Sequence, residues 1–217
     1  MGEGDTIELA GDHMSLEVDE KGAATIRFSP TSITGRVCGG CTLCCKLLPI
    51  PIEGELKPAG ERCRHARAGK GCGIYAQRPM PCRTWACRWV ADRETAGMPR
   101  PDRCHYVIDI QEDYVTLAPF DGGEPFKVGV IQVWVDPAFP EAAKAPELRA
   151  YMLRMAEKYR LATIVRFDSR RAYTVFPPPI ADDGQWHEMG GSVEDRTPSE
   201  REVTVVFSDG EERTAIG

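Results

Sequence analysis

Four of the nine cysteines in this 217-residue chain fall within the eight residues CGGCTLCC, from Cys38 to Cys45. Four more follow at positions 63, 72, 82 and 87, and the ninth is Cys104. A scattered free cysteine is commonly just a small buried apolar residue. Cysteines separated by two residues differ, because that spacing brings two thiolates within reach of one metal ion. The spacing therefore predicts a metal site.

The spacing Cys38-x2-Cys41-x2-Cys44 lets a tight loop wrap three sulfurs around an iron–sulfur cluster, with a further ligand supplied from elsewhere in the chain. It also contains Cys-x2-Cys pairs that zinc accepts. Cys45 cannot easily share one ion with Cys44, so we expect it to face a second centre, another iron of the same cluster, or the core. Eight thiols can form two four-sulfur sites, or one cluster with spare thiols. An iron–sulfur cluster is the expected cofactor, and zinc is the alternative.

The candidate ligands are the eight clustered cysteines: Cys38, Cys41, Cys44, Cys45, Cys63, Cys72, Cys82 and Cys87. A helix predicted over 81–94 separates two of them, because Cys87 lies about 140° around that helix from Cys82. On the same helix Trp85 and Trp89 share the face of Cys82, where we expect them to shield the site or to pack on a sheet. Cys82 is therefore the better ligand of the two.

The expected order of importance puts Cys38, Cys41, Cys44 and Cys82 first, Cys45, Cys63 and Cys72 next, then Cys87. Cys104 comes last because it opens a region of predicted strands. His65 and His105 are left out, since a lone histidine beside a cysteine is more often a surface residue.

Composition bounds the protein class. The chain is 42% hydrophobic and 28% charged, which is typical of a soluble globular protein. The N-terminal residues are acidic and lack the apolar stretch of a signal peptide. No apolar run reaches the ~18 residues of a membrane helix, and the best, VGVIQVWV (128–135), has strand length. We therefore expect a cytoplasmic protein without membrane contact, and in that compartment clustered cysteines indicate metal rather than disulfides.

Charge is unevenly distributed along the chain. Residues 36–93 hold eleven Lys and Arg against four Asp and Glu, in a chain of formal net charge −6. A basic segment can bind nucleic acid, or it can offset the negative charge of metal-bound thiolates. The acidic chain as a whole favours the second interpretation. The expected partner is an unidentified protein or small molecule rather than nucleic acid.

The pattern outside the cysteines predicts an α+β protein: a small antiparallel sheet with few helices and a cysteine-rich, metal-organised module. The predicted parts are 1–35 (lead and short strands), 36–104 (the module), 105–179 (sheet and helix) and 180–217 (polar loop and terminal hairpin).

Individual elements follow from periodicity. Two strands are predicted within 15–28, a strand pair at 105–110 and 114–120, a long strand at 126–136, and hairpins at 161–176 and 202–216. Residues 146–160 predict an amphipathic helix with a buried stripe at Leu148, Met152, Met155 and Tyr159.

CGGCTLCC followed by CGIYAQRPMPCR (72–83) resembles the bacterial CxxCxxCC cysteine-cluster family, the YkgJ-like group of zinc- or iron-chelating proteins, to which flagellin lysine N-methylases are related. The matching positions are the four clustered cysteines, then Cys72, Ile74, Tyr75, Arg78, Pro79, Cys82 and Arg83, with Cys63 where the family has a further cysteine. The resemblance covers residues 36–104. It implies that the module binds an iron–sulfur cluster or zinc through its cysteines.

The sequence thus predicts a metal-binding protein whose downstream role is undefined. One alternative, from the resemblance, is a cluster-containing enzyme like a protein-lysine methyltransferase, although residues 105–176 show no glycine-rich turn for its methyl donor. The other is a zinc-organised interaction module. Phosphate-binding, zinc-protease, serine-hydrolase and dinucleotide-binding motifs are all absent from the sequence, so no catalytic residue is predicted.

Overall fold

The computed structural model of the chain describes residues 34–52, 55–117, 124, 126–181 and 183–190, together with five strands outside these ranges. The helices are α1 Cys44–Leu47, α2 Met80–Thr84, α3 Arg88–Ala91, α4 Pro101–Cys104 and α5 Pro146–Tyr159. The strands are β1 Thr6–Glu8, β2 Met14–Val18, β3 Ala24–Phe28, β4 Ile50–Ile52, β5 Glu55–Lys57, β6 Ala66–Arg67, β7 Gly71–Cys72, β8 Tyr106–Leu117, β9 Phe126–Val135, β10 Ala162–Arg166, β11 Ala172–Phe176, β12 His187–Gly190, β13 Glu202–Phe207 and β14 Glu212–Ile216. This combination confirms the predicted α+β class. In the described part of the chain, no helix is long and apolar enough to span a membrane.

The chain divides into two compact units. The first comprises residues 1–37, 90–96 and 195–217. Its sheet has the order β1-β2-β3-β13-β14, with the predicted antiparallel pairs β2–β3 and β13–β14. The pair β3–β13 is parallel and joins the two ends of the sequence, a long-range pairing that periodicity does not reveal. β1 lies within the segment predicted as a polar lead.

The second unit comprises residues 38–89 and 97–194 and contains all the cysteines. Its main sheet has the order β12-β11-β10-β9-β8. The sheet is mixed rather than purely antiparallel, because β9 and β10 are parallel and α5 forms the crossover between them. Parallel neighbours need such a crossover, and a helix is its usual form.

Two strand predictions are corrected. The strand pair expected at 105–110 and 114–120 is instead the single strand β8, whose register on β9 shifts between Ile108 and Glu112. The polar residues there indicated a turn, but β9 is long enough to pair on both sides of the irregularity. In the predicted polar loop, His187–Gly190 forms β12 against β11.

Helix α5 covers one face of the main sheet. Leu148, Met152 and Met155 are buried as predicted, whereas Tyr159 is exposed and Tyr151 is buried in its place. At about 100° per residue Tyr159 lies on the same face as the buried positions. It is the last residue of α5, however, and there its side chain is exposed. Side chains from all the central strands complete this core.

The single helix predicted over 81–94 is wrong. Helix α2 ends at Thr84, the next three residues are not helical, and α3 begins at Arg88. The break lets Trp85 and Arg88 both bond to Asp109 of β8, while Trp89 packs on the main core. Because the helix is interrupted between Cys82 and Cys87, the angular argument that separated these two thiols no longer applies.

Candidate metal centre

Glycines bring two cysteine-bearing segments into backbone contact. A Cβ atom on Gly40 would lie 2.5 Å from the carbonyl oxygen of Gly69, and one on Gly71 would overlap the carbonyl oxygen of Gly39. Gly71 also has φ +87°, a backbone conformation that other residues rarely adopt. The loop between Cys38 and Cys41 therefore packs directly on the β6–β7 hairpin that carries Cys72, an approach that only glycine permits.

Backbone hydrogen bonds position further cysteines. The amide of Cys41 donates to the carbonyl of Cys38 at 2.9 Å, which closes the first Cys-x2-Cys turn. The amide of Cys63 donates to the carbonyl of Cys45 at 2.8 Å, so the downstream segment runs alongside α1. The amide of Cys82 donates to the carbonyl of Pro79 in the first turn of α2. Four separate chain segments thus contribute thiols to one region.

Two buried carboxylates of the main sheet hold this region in place. Lys46 Nζ, next to Cys45, lies 2.6 and 2.8 Å from the carboxylate oxygens of Asp136, directly after β9. Trp85 Nε1 donates to Asp109 Oδ1 at 2.8 Å, and Arg88 Nε donates to the Asp109 carbonyl at 3.0 Å. The first and last parts of the cysteine region are therefore both tied to neighbouring strands.

Electrostatic interactions link all eight candidate thiols. Cys38 interacts with Cys45 and Cys72, and Cys41 interacts with Cys38. Cys44 interacts with Cys45, Cys87 and Cys38, and Cys82 interacts with Cys45, Cys63 and Cys72. Each of these interactions raises the pKa of the thiol that experiences it, because neighbouring thiolates repel one another. This repulsion disfavours the simultaneous ionisation of neighbouring thiols.

The adjacent thiols of Cys44 and Cys45 form a hydrogen-bonded pair. That bond and burial hold the pKa of Cys44 well above its ordinary value of 9.0. The same bond, assisted by the positive charges of Lys57 and Arg62, lowers the pKa of Cys45 to about 7. In the metal-free protein, Cys45 therefore ionises more readily than Cys44.

Burial raises the pKa of other thiols, which disfavours their ionisation without a bound cation. It is the main cause for Cys38 and Cys41, and it raises the pKa of Cys82 to about 11. Arg78 counteracts this effect at both Cys38 and Cys82. Metal binding releases the protons of thiol ligands, so any metal bound by these groups would have an affinity that depends on pH.

Cys104 belongs to a different environment. It is buried in the main hydrophobic core, where its sulfur lies 3.6 to 3.8 Å from the carbonyl oxygens of Pro99, Pro101 and Tyr106. Burial raises its pKa to about 11. This cysteine matches the expectation for a free thiol that serves as a small apolar residue.

The histidines make local contacts of their own. His65 Nε2 accepts a hydrogen bond from Arg64 Nε at 3.2 Å. The ring of His105 stacks on Phe139 with the ring centres 3.6 Å apart. Both were left out of the predicted ligand set.

Among the residues that the structure describes, no three Cys, His, Asp or Glu side chains converge closely enough to hold a metal ion. All nine cysteines are free thiols rather than disulfides. The donor chemistry of the eight linked thiols suits zinc or an iron–sulfur cluster, but the sulfur atoms have to approach one another before they can share a centre.

Lys46, Asp109 and Asp136 were missed by the sequence reasoning. A lysine directly after a double cysteine was a weak signal for Lys46. The two aspartates occur in or directly after apolar strands, where an acidic residue has to find a partner if it is buried, so their position gave a usable signal.

No protein-family model, curated protein or solved structure matches this chain. The resemblance to the CxxCxxCC family therefore stays a prediction.

Proposed function

We propose that this chain is a metal-binding protein that holds an iron–sulfur cluster, or alternatively zinc, through cysteines between Cys38 and Cys87. The observation that carries the proposal is that backbone contacts bring cysteines of four chain segments into one region, where neighbouring thiols raise one another's pKa. Thiolate sulfur is the donor that zinc and iron–sulfur clusters share. The ninth thiol, Cys104, lies in the hydrophobic core and serves as an internal comparison.

The cluster is preferred to zinc for two reasons. The Cys38-x2-Cys41-x2-Cys44 spacing suits a loop around a cluster. The resemblance to the CxxCxxCC family favours the same choice. The cluster would supply one-electron chemistry, while the chain would supply the ligands and their charge environment.

Nearby cations support a site that carries negative charge. Lys57 interacts with Cys63, Cys45 and Cys44, and Arg62 acts on Cys45. Four thiolates around one divalent ion leave a net charge of about −2, and cations close by offset that charge. The basic character of this part of the sequence is explained at least in part by these contacts.

Anaerobic purification followed by iron, zinc and acid-labile sulfide analysis tests the proposal. We expect a brown protein with iron and sulfide in similar amounts. Cys41→Ser should lower the bound metal, whereas Cys104→Ser, the matched control, should retain it. A colourless protein with stoichiometric zinc and no sulfide would replace the cluster with zinc. Failure to bind either metal, also after anaerobic reconstitution, would refute the proposal.

A further inference from the structure

A cluster of exposed basic residues lies beside the cysteine region. Residues 62–91 contain seven Lys and Arg and no Asp or Glu. Four of the cations are exposed and lie on or next to the β6–β7 hairpin: Arg62, Arg64, Arg67 and Lys70. We call these four residues the basic hairpin surface. A surface patch of one charge steers oppositely charged partners and can set where they dock.

The basic hairpin surface belongs to the same compact unit as the thiols and touches their loop. The hairpin turn residue Gly69 packs on Gly40, and Gly71 packs on Gly39, in both cases with no room for a side chain. A molecule bound over Arg67 and Lys70 would therefore lie close to the Cys38–Cys41 loop.

An aromatic–cation pair adjoins this surface. Tyr75 is 49% exposed, and the guanidinium carbon of Arg78 lies 3.8 Å from the centre of its ring. Arg78 also donates from Nε to the Tyr75 carbonyl at 3.0 Å, which fixes the pair. Tyrosine and arginine are enriched among the residues that dominate protein–protein binding energy. Because Arg78 covers one face of the ring, a nucleic-acid base cannot stack on that face.

We propose that the basic hairpin surface docks the acidic face of a partner protein beside the cysteine region. A protein fits better than single-stranded nucleic acid, which is held by bases stacked on aromatic side chains as well as by its charge. Tyr75 beside this surface has one ring face covered by Arg78, whereas the lysine and arginine side chains of the hairpin can pair with the carboxylates of an acidic protein face. The docking does not rest on the proposed metal, because it uses side chains outside the candidate ligand set.

Fluorescence anisotropy with labelled poly-L-glutamate measures this binding, with single-stranded oligo-dT as the nucleic-acid probe. The test variant is Arg67→Glu/Lys70→Glu. The matched control is Lys144→Glu/Lys158→Glu, which makes the same change in net charge at exposed positions elsewhere. We expect the parent protein to bind poly-L-glutamate more tightly than oligo-dT, with an affinity that falls as salt rises. The test variant should bind poly-L-glutamate about tenfold or more weakly, and the control should change much less.

Three results would overturn the proposal: no poly-L-glutamate binding at low salt, equal losses in both variants, or tighter binding of oligo-dT. Circular dichroism checks that the variants fold, and Arg67→Gln/Lys70→Gln replaces the test variant if the charge reversal unfolds the hairpin. Metal content is measured on the same samples. If the test variant keeps the metal content of the parent protein but binds poly-L-glutamate more weakly, the loss comes from the docking surface and not from the metal site.

Discussion

Replacing Lys46 with methionine should destabilise the second unit much more than removing an ordinary surface charge. Lys46 Nζ lies 2.6 Å from a carboxylate oxygen of Asp136, whose side chain is only 6% exposed, against 27% for Lys46. Methionine keeps an unbranched apolar stem of similar length, so the substitution removes mainly the ammonium group. Asp136 then stays in its buried position without the cation that balances its charge.

The size of the effect follows from this geometry. Removing one partner of a fully buried ion pair costs about 3–5 kcal/mol. The cost should be smaller here, since Lys46 is partly exposed and the amide of Ala138 still donates to Asp136 at 3.1 Å. We expect a loss of about 2–3 kcal/mol in the free energy of unfolding. Arg171→Met is the matched control, because its pair with Asp168 is 3.8 Å long and 63% and 44% exposed. Such exposed pairs contribute about 0–1 kcal/mol.

Urea unfolding followed by tryptophan fluorescence measures the difference, in reductant and chelator so that bound metal does not contribute. All four tryptophans belong to the second unit, so the signal reports on the unit that contains Lys46. Lys46→Met, Asp136→Asn and the double variant complete a cycle whose coupling free energy should be about 1–3 kcal/mol. If Lys46→Met falls within about 0.5 kcal/mol of Arg171→Met, the pair does not anchor the cysteine region and the reasoning is wrong.

Three further predictions concern the thiols and their support. Gly71→Ala should lower the free energy of unfolding by about 1–3 kcal/mol more than the control Gly60→Ala. Both glycines have positive φ, but of the two only Gly71 contacts the backbone of another segment. Equal losses of stability in urea unfolding would exclude this close approach. The rate at which iodoacetamide alkylates Cys45 in metal-free protein should rise with a midpoint at about pH 7, because the thiolate is the reactive form and the pKa of Cys45 is lowered. The rate is measured by mass spectrometry, and a midpoint near pH 9 would contradict this expectation. Removing bound metal should speed amide hydrogen exchange in residues 36–104 and leave residues 105–176 unchanged, and equal protection in both states would mean that the thiols lie in a preformed scaffold.

The local sequence pattern was sufficient to predict elements that are formed by residues close together in the sequence. The alternating residues 126–136 form β9, and the apolar spacing in 146–160 forms α5. The two turns of the hairpins that follow α5 and end the chain were also marked by polar residues, and both hairpins are antiparallel as predicted. In β9 and α5 the apolar residues of the pattern are also residues that pack in the core, so sequence neighbours carry enough information for these two elements.

The failures occurred where distant residues decide the outcome. The break between α2 and α3 is stabilised by Asp109, which is 24 residues beyond Trp85 and lies in another element. β8 continues through a polar stretch because β9 supplies its partners. Neither effect is encoded in local periodicity, since hydrogen bonds gained from a distant strand can outweigh a local preference. The cysteine cluster could be predicted because the spacing of its cysteines is a local feature of the sequence. The contacts that Asp109 and Asp136 make with the cysteine region are long-range, and only the folded structure reveals them.

The anchoring by Asp109 and Asp136 changes what metal would have to contribute to folding. A module with few buried apolar residues would depend on its metal for most of its stability. Here Leu47 and Leu48 are buried, and the segments next to Cys45 and Cys87 are bound to β9 and β8 through the two carboxylates. The course of these flanking segments is therefore set by the sheet. Metal binding would then act mainly on the loops between these two anchored segments.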